Sequence, residues 1–463
     1  MKVMIVGAGK LGQKLAESLV LEDIDVTLVD YNAKILERIN EHIDVLTVTA
    51  SGVDIGILKE LNIKSYDLLV ACTKGDETNT VICSLAKRLG CKKTIARIRN
   101  PEYTKQLDFV KKEMGIDHIV NPEFETAKAM EKYLLKNFSF YTGDFAKGKV
   151  TMLDFNIGHN EDFVGKYIKD LKNFSGFLIT AISRNGKIII PNGFTELMED
   201  DIIHVIGKSA DIARLSVKFE KGINRKEIEN VMIFGGGKVG YYLAKRLTEA
   251  NISVTVIEQD KIRCQELAEK LDNVLVIHGD GTDIHLLEEE NLESMDAFVG
   301  ATGYDEQNLL MALMAKHAGV SKTIAKFSRQ NYTKIIDKLG IEVALNPVYI
   351  TASNILKYIR GGKVVSVSLL LGGDGEVTEI IVGEDLPFTG KPLAELNLPK
   401  GIIIGAIVHN GEVIIPNGES VIHPGDRIII FSLTEDLPTL KMFIKSHKGG
   451  IFSELWDRAK GTR

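Results

Sequence analysis

Cysteine is scarce: four residues in 463 (Cys72, Cys83, Cys91 and Cys264), with no CxxC pair and no Cys/His spacing suited to a metal. That excludes a disulfide framework or a zinc ribbon and leaves buried or free thiols, as in a reducing cytoplasm. An excess of one charge is also lacking. The 57 Lys and Arg against 63 Asp and Glu give a net charge of −6, with no general attraction for nucleic acid or anionic lipid. Long apolar runs are missing as well. "VVSVSLLLGG" at 364–373 and "GIIIGAIV" at 401–408 fall far short of the ~20 residues that span a bilayer. The chain starts directly on a strand, "MKVMIVG", with no signal-peptide pattern. The expectation is a soluble protein without direct membrane insertion, so that work at a membrane requires another protein as anchor. Catalytic signatures are lacking too: there is no GxxxxGK[ST] loop, no GxSxG, no HExxH and no Cys/His dyad, so motor-type ATP hydrolysis has no support.

What the chain does have is 44% hydrophobic residues, enough for several cores and three or four domains, and a duplication. "IVGAGKLG" at 5–12 returns as "IFGGGKVG" at 233–240. "TIARIRNPEYTKQL" at 94–107 returns as "TIAKFSRQNYTKII" at 323–336, and "IVNPEFETAKAMEKYL" at 119–134 as "ALNPVYITASNILKYI" at 344–359. "GKIIIPNGFTELMEDD" at 186–201 returns as "GEVIIPNGESVIHPGD" at 411–426. Each half is therefore one two-part module, joined by the polar linker "GINRKEIEN" at 222–230.

The first part of each half alternates short apolar strands with amphipathic helices, the rhythm of a doubly wound parallel sheet of Rossmann type. The second part reads as strands around one short helix, "VGKYIKDLK" at 164–172, a small α+β domain of βαββ type. Asn185-Gly186 and Asn410-Gly411 are hairpin signals. The fold class is thus α/β, a tandem duplication of a Rossmann-like domain followed by a small α+β domain. The expected boundaries are 1–136, 137–222, 226–359 and 360–448, with a tail at 449–463.

Gly7, Gly9 and Gly12 follow a strand and open a helix, and Asp30 closes the next strand 18 residues after Gly12. Gly235, Gly237 and Gly240 repeat this, with Glu258 18 residues after Gly240. A tight turn, a close backbone approach and a helix N-terminus suit a pyrophosphate, while the carboxylate suits ribose hydroxyls and repels a 2′-phosphate. Neither Tyr31 nor Gln259 supplies the arginine of an NADP site. Adenosine, NAD(H), ATP and ADP all fit. The cradle residues are Gly7, Ala8, Gly9, Lys10, Leu11 and Gly12 in the first lobe, and Gly235, Gly236, Gly237, Lys238, Val239 and Gly240 in the second. Ser51 in "VTASGVD" and Asp280 in "IHGDGTD" follow the third strands, and Thr73, Lys74 and Thr302 end the fourth. All lie where a switch-point crevice opens. "DETN" at 76–79 and "DEQN" at 305–308 read as helix caps. Arg97 and Arg99 alternate along "IARIRN" and suit a triphosphate, whereas the second lobe has Lys326 and Ser328 there.

Two units of "GxGxxG…D/E…T…DExN", each followed by a small domain with a "PNG" turn and a "GD" before its last strand, resemble the regulator of K⁺ conductance (RCK) family. The tandem form without a pore is similar to the TrkA family, and the likeness covers residues 1 to about 448. It implies lobes that bind NAD(H) or ATP/ADP, with no catalytic residue. It also implies a homo-oligomeric, tetrameric gating ring, and a potassium-translocating membrane subunit of TrkH/KtrB type as partner at the cytoplasmic face of the membrane. The dinucleotide contacts it implies fall on the glycine loops, Asp30, Thr73, Lys74, Arg97 and Glu258. The alternative is an NAD-dependent oxidoreductase with a duplicated binding domain, for which His159, His204 and His278 are the imidazoles to consider; a scaffold with empty lobes is a third reading.

Overall fold

A computed structural model of the chain describes all residues except 102–105, 136–142, 159, 161, 172–175, 186, 220–226, 330–331, 333–335, 337–340, 342, 371–372, 385, 387 and 445–463. His159, Gly186, the C-terminal tail and most of the expected linker lie outside the described residues. Among those described, no helix is long and apolar enough to cross a membrane.

The first lobe is a six-stranded parallel sheet in the order β3-β2-β1-β4-β5-β6. Its strands are β1 (Lys2–Val6), β2 (Asp25–Asp30), β3 (Leu46–Thr49), β4 (Leu68–Ala71), β5 (Lys93–Arg97) and β6 (His118–Val120). β4 is buried along its whole length and β1 from Val3 to Val6, the mark of a sheet covered by helices on both faces. The order reverses between β1 and β4, and the crevice at that switch point faces the carboxyl ends of both strands.

The second lobe repeats this as β14-β13-β12-β15-β16-β17. Its strands are β12 (Asn230–Phe234), β13 (Ser253–Glu258), β14 (Val274–His278), β15 (Ala297–Gly300), β16 (Lys322–Lys326) and β17 (Val343–Leu345). Asn230, at the end of the expected linker, is already the first residue of a strand, and its N–H donates to Asp296 Oδ2 at 2.9 Å.

Each small domain is a five-stranded antiparallel sheet. The first runs β10-β9-β11-β8-β7, with β7 (Gly143–Phe145), β8 (Val150–Asn156), β9 (Phe177–Arg184), β10 (Lys187–Ile189) and β11 (Ile202–Lys208). The second runs β18-β19-β22-β20-β21, with β18 (Val364–Leu370), β19 (Gly375–Ile381), β20 (Ile402–His409), β21 (Glu412–Ile414) and β22 (Arg427–Leu433).

The helix expected over 164–172 is not there; only Ile168–Asp170 makes a three-residue 3₁₀ turn. Gly165 sits at φ +75°. The N–H groups of Gly165, Ile168 and Lys169 bond to the carbonyls of Leu197, Thr195 and Gly193 instead of closing helical turns. A helix absent from the sequence reading follows β11, at Ser209–Phe219.

The halves are interlocked. Two helices leave their own lobes and pack on the other: the first crossover helix, Pro122–Leu135, and the second, Pro347–Arg360. Ala127, Met130, Tyr133 and Leu134 are buried in the second lobe's core beside Tyr242, Leu243 and Leu247. Ala352, Ile355, Leu356 and Ile359 are buried in a core shared by the first lobe and the second small sheet, beside Leu11, Leu15 and Leu19. The two small sheets pack back to back through Phe145, Met152 and Ile206 on one side and Val377, Ala406 and Phe431 on the other. Both helices are therefore crossovers within one chain.

Candidate functional site

Each glycine loop is pressed against the end of the neighbouring strand. Gly7 has φ +111°, and a Cβ there would lie 2.9 Å from the backbone of Cys72 and Thr73, so both conformation and space require glycine. Gly235, at φ +105°, meets Thr302 in the same way. A Cβ at Gly12 or Gly240 would collide with the carbonyl oxygen of Gly7 or Gly235, which locks helix onto strand. Gly9 and Gly237 instead face open space, where the backbone can meet a phosphate. They are also the N-caps of the cradle helices, Lys10–Val20 and Lys238–Glu249, and no side chain caps either helix. Their first N–H groups and partial positive charge remain for an anion.

The carboxylates hold the loops from the other side. Asp30 Oδ2 accepts the Ala8 N–H at 2.7 Å and Oδ1 that of Asn32 at 2.9 Å. Glu258 repeats this with Gly236 at 2.8 Å and Asp260 at 2.9 Å. Each carboxylate oxygen has a second lone pair for a ribose hydroxyl. Behind the first loop, the Cys72 thiol donates to the Gly7 carbonyl at 3.3 Å. Burial raises this thiol to about 11, so it is a neutral donor; the second lobe has Ala301 there.

The crevice floor is built by residues that sequence reading assigned elsewhere. Asp76 and Asp305 are not caps. Asp76 Oδ2 accepts the N–H groups of Arg99 and Asn100 at 2.9 and 2.8 Å. Asp305 Oδ2 accepts those of Ser328 and Arg329, both at 3.0 Å. The buried Asn79 binds the Thr73 N–H and hydroxyl and donates to the carbonyls of Thr73 and Arg97. Asn308 does the same for Thr302 and Lys326. The repeated Asn at the fourth place of "DExN" was the available signal.

Arg97 and Arg99 do lie on one wall. Their guanidiniums donate to the carbonyls of Thr73 and Lys74; the buried Arg97 Nε has no hydrogen-bond partner, and Arg99 Nε lies 3.5 Å from Asp76 Oδ1. Glu123, on the first crossover helix, stands 3.9 Å from Arg99. Burial holds its carboxyl above the usual carboxylate range, against the pull of Arg99, Arg97 and second-lobe Lys238. In the second lobe, burial pushes Lys326 below the usual lysine range, with first-lobe Lys10 opposing its charge. Arg329 is tied 2.6 Å from Glu306. Each cradle lysine thus bears on a charged group of the other half. Lys74, Ser51 and Asp280 are exposed at the lips, and Asp280 accepts the N–H and hydroxyl of Thr282.

The cradle helices are gripped by the opposite half. Arg246, on the second, pairs with Glu131 of the first crossover helix at 2.6 Å. Tyr242 accepts from Asn121 at 2.9 Å and stacks edge-on with Phe124. Lys14, on the first, lies over the Tyr349 ring of the second crossover helix at 5.5 Å.

Of the candidate imidazoles, His204 is buried in β11 with both ring nitrogens engaged, by Asp154 at 2.6 Å and Ser183 at 3.0 Å. His278 is exposed at the end of β14, paired in register with Glu258.

Residues 3–122 and 231–347 each match the TrkA-N domain family, and residues 152–220 and 377–445 the TrkA-C domain family. The chain is 35% identical over 453 residues to Trk system potassium uptake protein TrkA homolog 1 of Methanosarcina mazei, covering 96% of this chain and 100% of that protein. It is also 35% identical to the Trk system potassium uptake protein TrkA of Haemophilus influenzae, covering 93% of this chain and 95% of the relative. Among solved structures, it superposes on the GsuK channel with TM-score 0.57 and 18% identity, covering 95% of this chain and 79% of that one. A crystal structure of the GsuK RCK domain gives TM-score 0.54 and 18% identity, with 96% and 94% covered.

Proposed function

The chain belongs to the TrkA family of Trk system potassium uptake proteins, and from that premise we propose that it is a nucleotide-sensing regulatory subunit. It controls a potassium-translocating membrane subunit of TrkH/KtrB type from the cytoplasmic side, in a homotetrameric ring. The lobes at 1–136 and 226–359 hold the nucleotide, and the small domains at 137–222 and 360–448 transmit the change.

The observation that carries this reading is the grip of each half on the other's cradle helix. A diphosphate arriving at Gly9 or Gly237 meets a helix packed against the opposite crossover, so the ligand acts on the interlock between the halves. A nucleotide that prefers one arrangement tenfold shifts the balance by about 1.4 kcal/mol per site, and two sites per chain in a ring multiply that. The ligands are adenine nucleotides with a free 2′-hydroxyl, NAD(H), ADP and ATP. Asp30 or Glu258 takes the ribose, and the loops 7–12 and 235–240 take the phosphates. Thr73, Lys74, Arg97 and Arg99 line the first crevice and Thr302 the second, with Ser51 and Asp280 at their lips. A protein of the same fold, GsuK, has solved structures bound to NAD and to ADP, which supports that ligand class. No reaction is assigned to the chain.

The test is ligand-induced stabilisation. Melting temperature should rise with ADP, ATP and NADH, and each ligand should be recovered unchanged. No shift with any of them defeats nucleotide sensing; oxidation of NADH by the protein with a small-molecule acceptor supports the oxidoreductase instead.

A further inference from the structure

Away from the crevices, the Asn410-Gly411 hairpin of the second small sheet carries a cluster without a role in nucleotide sensing. His409 Nδ1 lies 2.6 Å from Asp426 Oδ1, and His423 Nδ1 lies 3.8 Å from Asp426 Oδ2. The two imidazoles are 5.1 Å apart, centre to centre. Among the described residues this is the one group of three or more His, Cys, Asp or Glu side chains close enough to share a cation.

The duplication supplies the control. Position for position, His409, His423 and Asp426 correspond to Arg184, Met198 and Asp201. In the first half Arg184 clamps the buried Asp201 through Nε and Nη2, both at 2.7 Å, a permanent counter-ion. The Asp201 and Asp426 carboxylates each also accept the N–H of residue 198 or 423 at 2.8 Å, so the turn is the same in both copies. Only the second copy replaces the fixed guanidinium by an imidazole and sets a second imidazole beside it. Asp426 is 3% exposed, and a carboxylate removed from water requires a cation.

We infer that His409, His423 and Asp426 form a binding site for a zinc-class divalent ion, which replaces the guanidinium found in the first half. Two imidazoles and one carboxylate suit zinc and its transition-metal neighbours rather than Mg²⁺ or Ca²⁺, which favour oxygen ligands. Tetrahedral ligands 2.0–2.1 Å from zinc stand about 3.3 Å apart, and the observed 2.6 and 3.8 Å bracket that spacing. His423 is half exposed on a turn and can close the gap by rotation. Asn410, whose amide nitrogen lies 3.1 Å from His409 Nε2, orients the ring from outside; a half-turn of the amide accepts the Nε2 proton once Nδ1 binds the ion. The hairpin carbonyl of Gly411 accepts from Lys149 of the first small domain at 2.7 Å, so the ion would brace a turn in contact with the other half.

Calorimetric titration of the full chain with ZnCl₂, in the presence of excess Mg²⁺, tests this. The expected result is one zinc per chain, roughly tenfold or more weaker in H423M and lost in H409R/H423M. The double variant carries the first half's own residues, so its folding, checked by circular dichroism, follows a solution this sequence already uses. Cobalt in place of zinc should give visible ligand-field bands without thiolate charge transfer. Zinc binding unchanged in H409R/H423M, thiolate bands in the cobalt spectrum, or no zinc bound at micromolar concentrations would each overturn the inference.

Discussion

Arg360 and Glu22 are 338 residues apart in sequence, yet the Arg360 guanidinium reaches Glu22 Oε1 at 2.5 and 3.0 Å. Glu376 holds the guanidinium from the other side at 2.5 and 2.9 Å. All three side chains are at most 4% exposed. The triad ties the first lobe, the second crossover helix and the second small sheet together. Glu22→Gln leaves Arg360 paired with Glu376 and removes the charge-assisted hydrogen bonds to the first lobe, so it should cost about 1.5–3 kcal/mol. Urea unfolding with Glu22→Gln measures it; a loss below ~1 kcal/mol would mean the halves are not locked at this point.

Asp30→Ala and Glu258→Ala each remove the anchor of one loop and the proposed ribose acceptor. Charge-assisted hydrogen bonds contribute about 1.5–3 kcal/mol, so each variant should weaken adenine nucleotide binding roughly 10- to 100-fold in its own lobe. Calorimetry should show one class of site weakened at a time, and both weakened in the double variant.

The first crevice carries two arginines, Arg97 with a buried Nε lacking a hydrogen-bond partner and Arg99 beside Asp76, where the second has Lys326 and Ser328. Arg97→Ala and Arg99→Ala should lower ATP affinity in the first lobe by about tenfold or more, on the same hydrogen-bond scale, and ADP affinity less. Equal ATP affinity before and after contradicts a built preference for added phosphate charge.

His118, on β6, stacks on Tyr358 of the second crossover helix, ring centres 4.6 Å apart. Burial first, and Lys111 second, hold its pKa below the usual histidine value. The unfolded chain therefore takes up a proton at a pH where the folded chain does not. This contribution to stability is whole above the unfolded value of about 6.5 and is lost as pH falls through the folded value. His118→Gln should flatten the decline in unfolding midpoint between neutral pH and about pH 5; an unchanged slope places the acid sensitivity elsewhere.

The glycine cradles and their carboxylates were legible because a phosphate turn is written in contiguous residues, and the duplication marked both. The amphipathic pattern of Pro122–Leu135 and Pro347–Arg360 said that one face is buried but not against which lobe, since periodicity holds no information about the partner. The helix expected at 164–172 failed because Gly165 turns left-handed and the following N–H groups pair across the turn. Asp76 and Asp305 looked like caps because they open helices; their acceptors face loops more than twenty residues away. The His409, His423 and Asp426 cluster was hidden by its sequence spacing, although comparison of the repeats with Arg184 and Met198 would have exposed it.

The most direct measurement of the central claim is potassium flux into liposomes holding the proposed TrkH-type partner, with the purified chain and ADP, ATP or NADH added in turn. The account predicts flux that depends on the nucleotide with the native chain, and no such dependence with Asp30→Ala/Glu258→Ala. Identical flux under all three nucleotides with the native chain would contradict it.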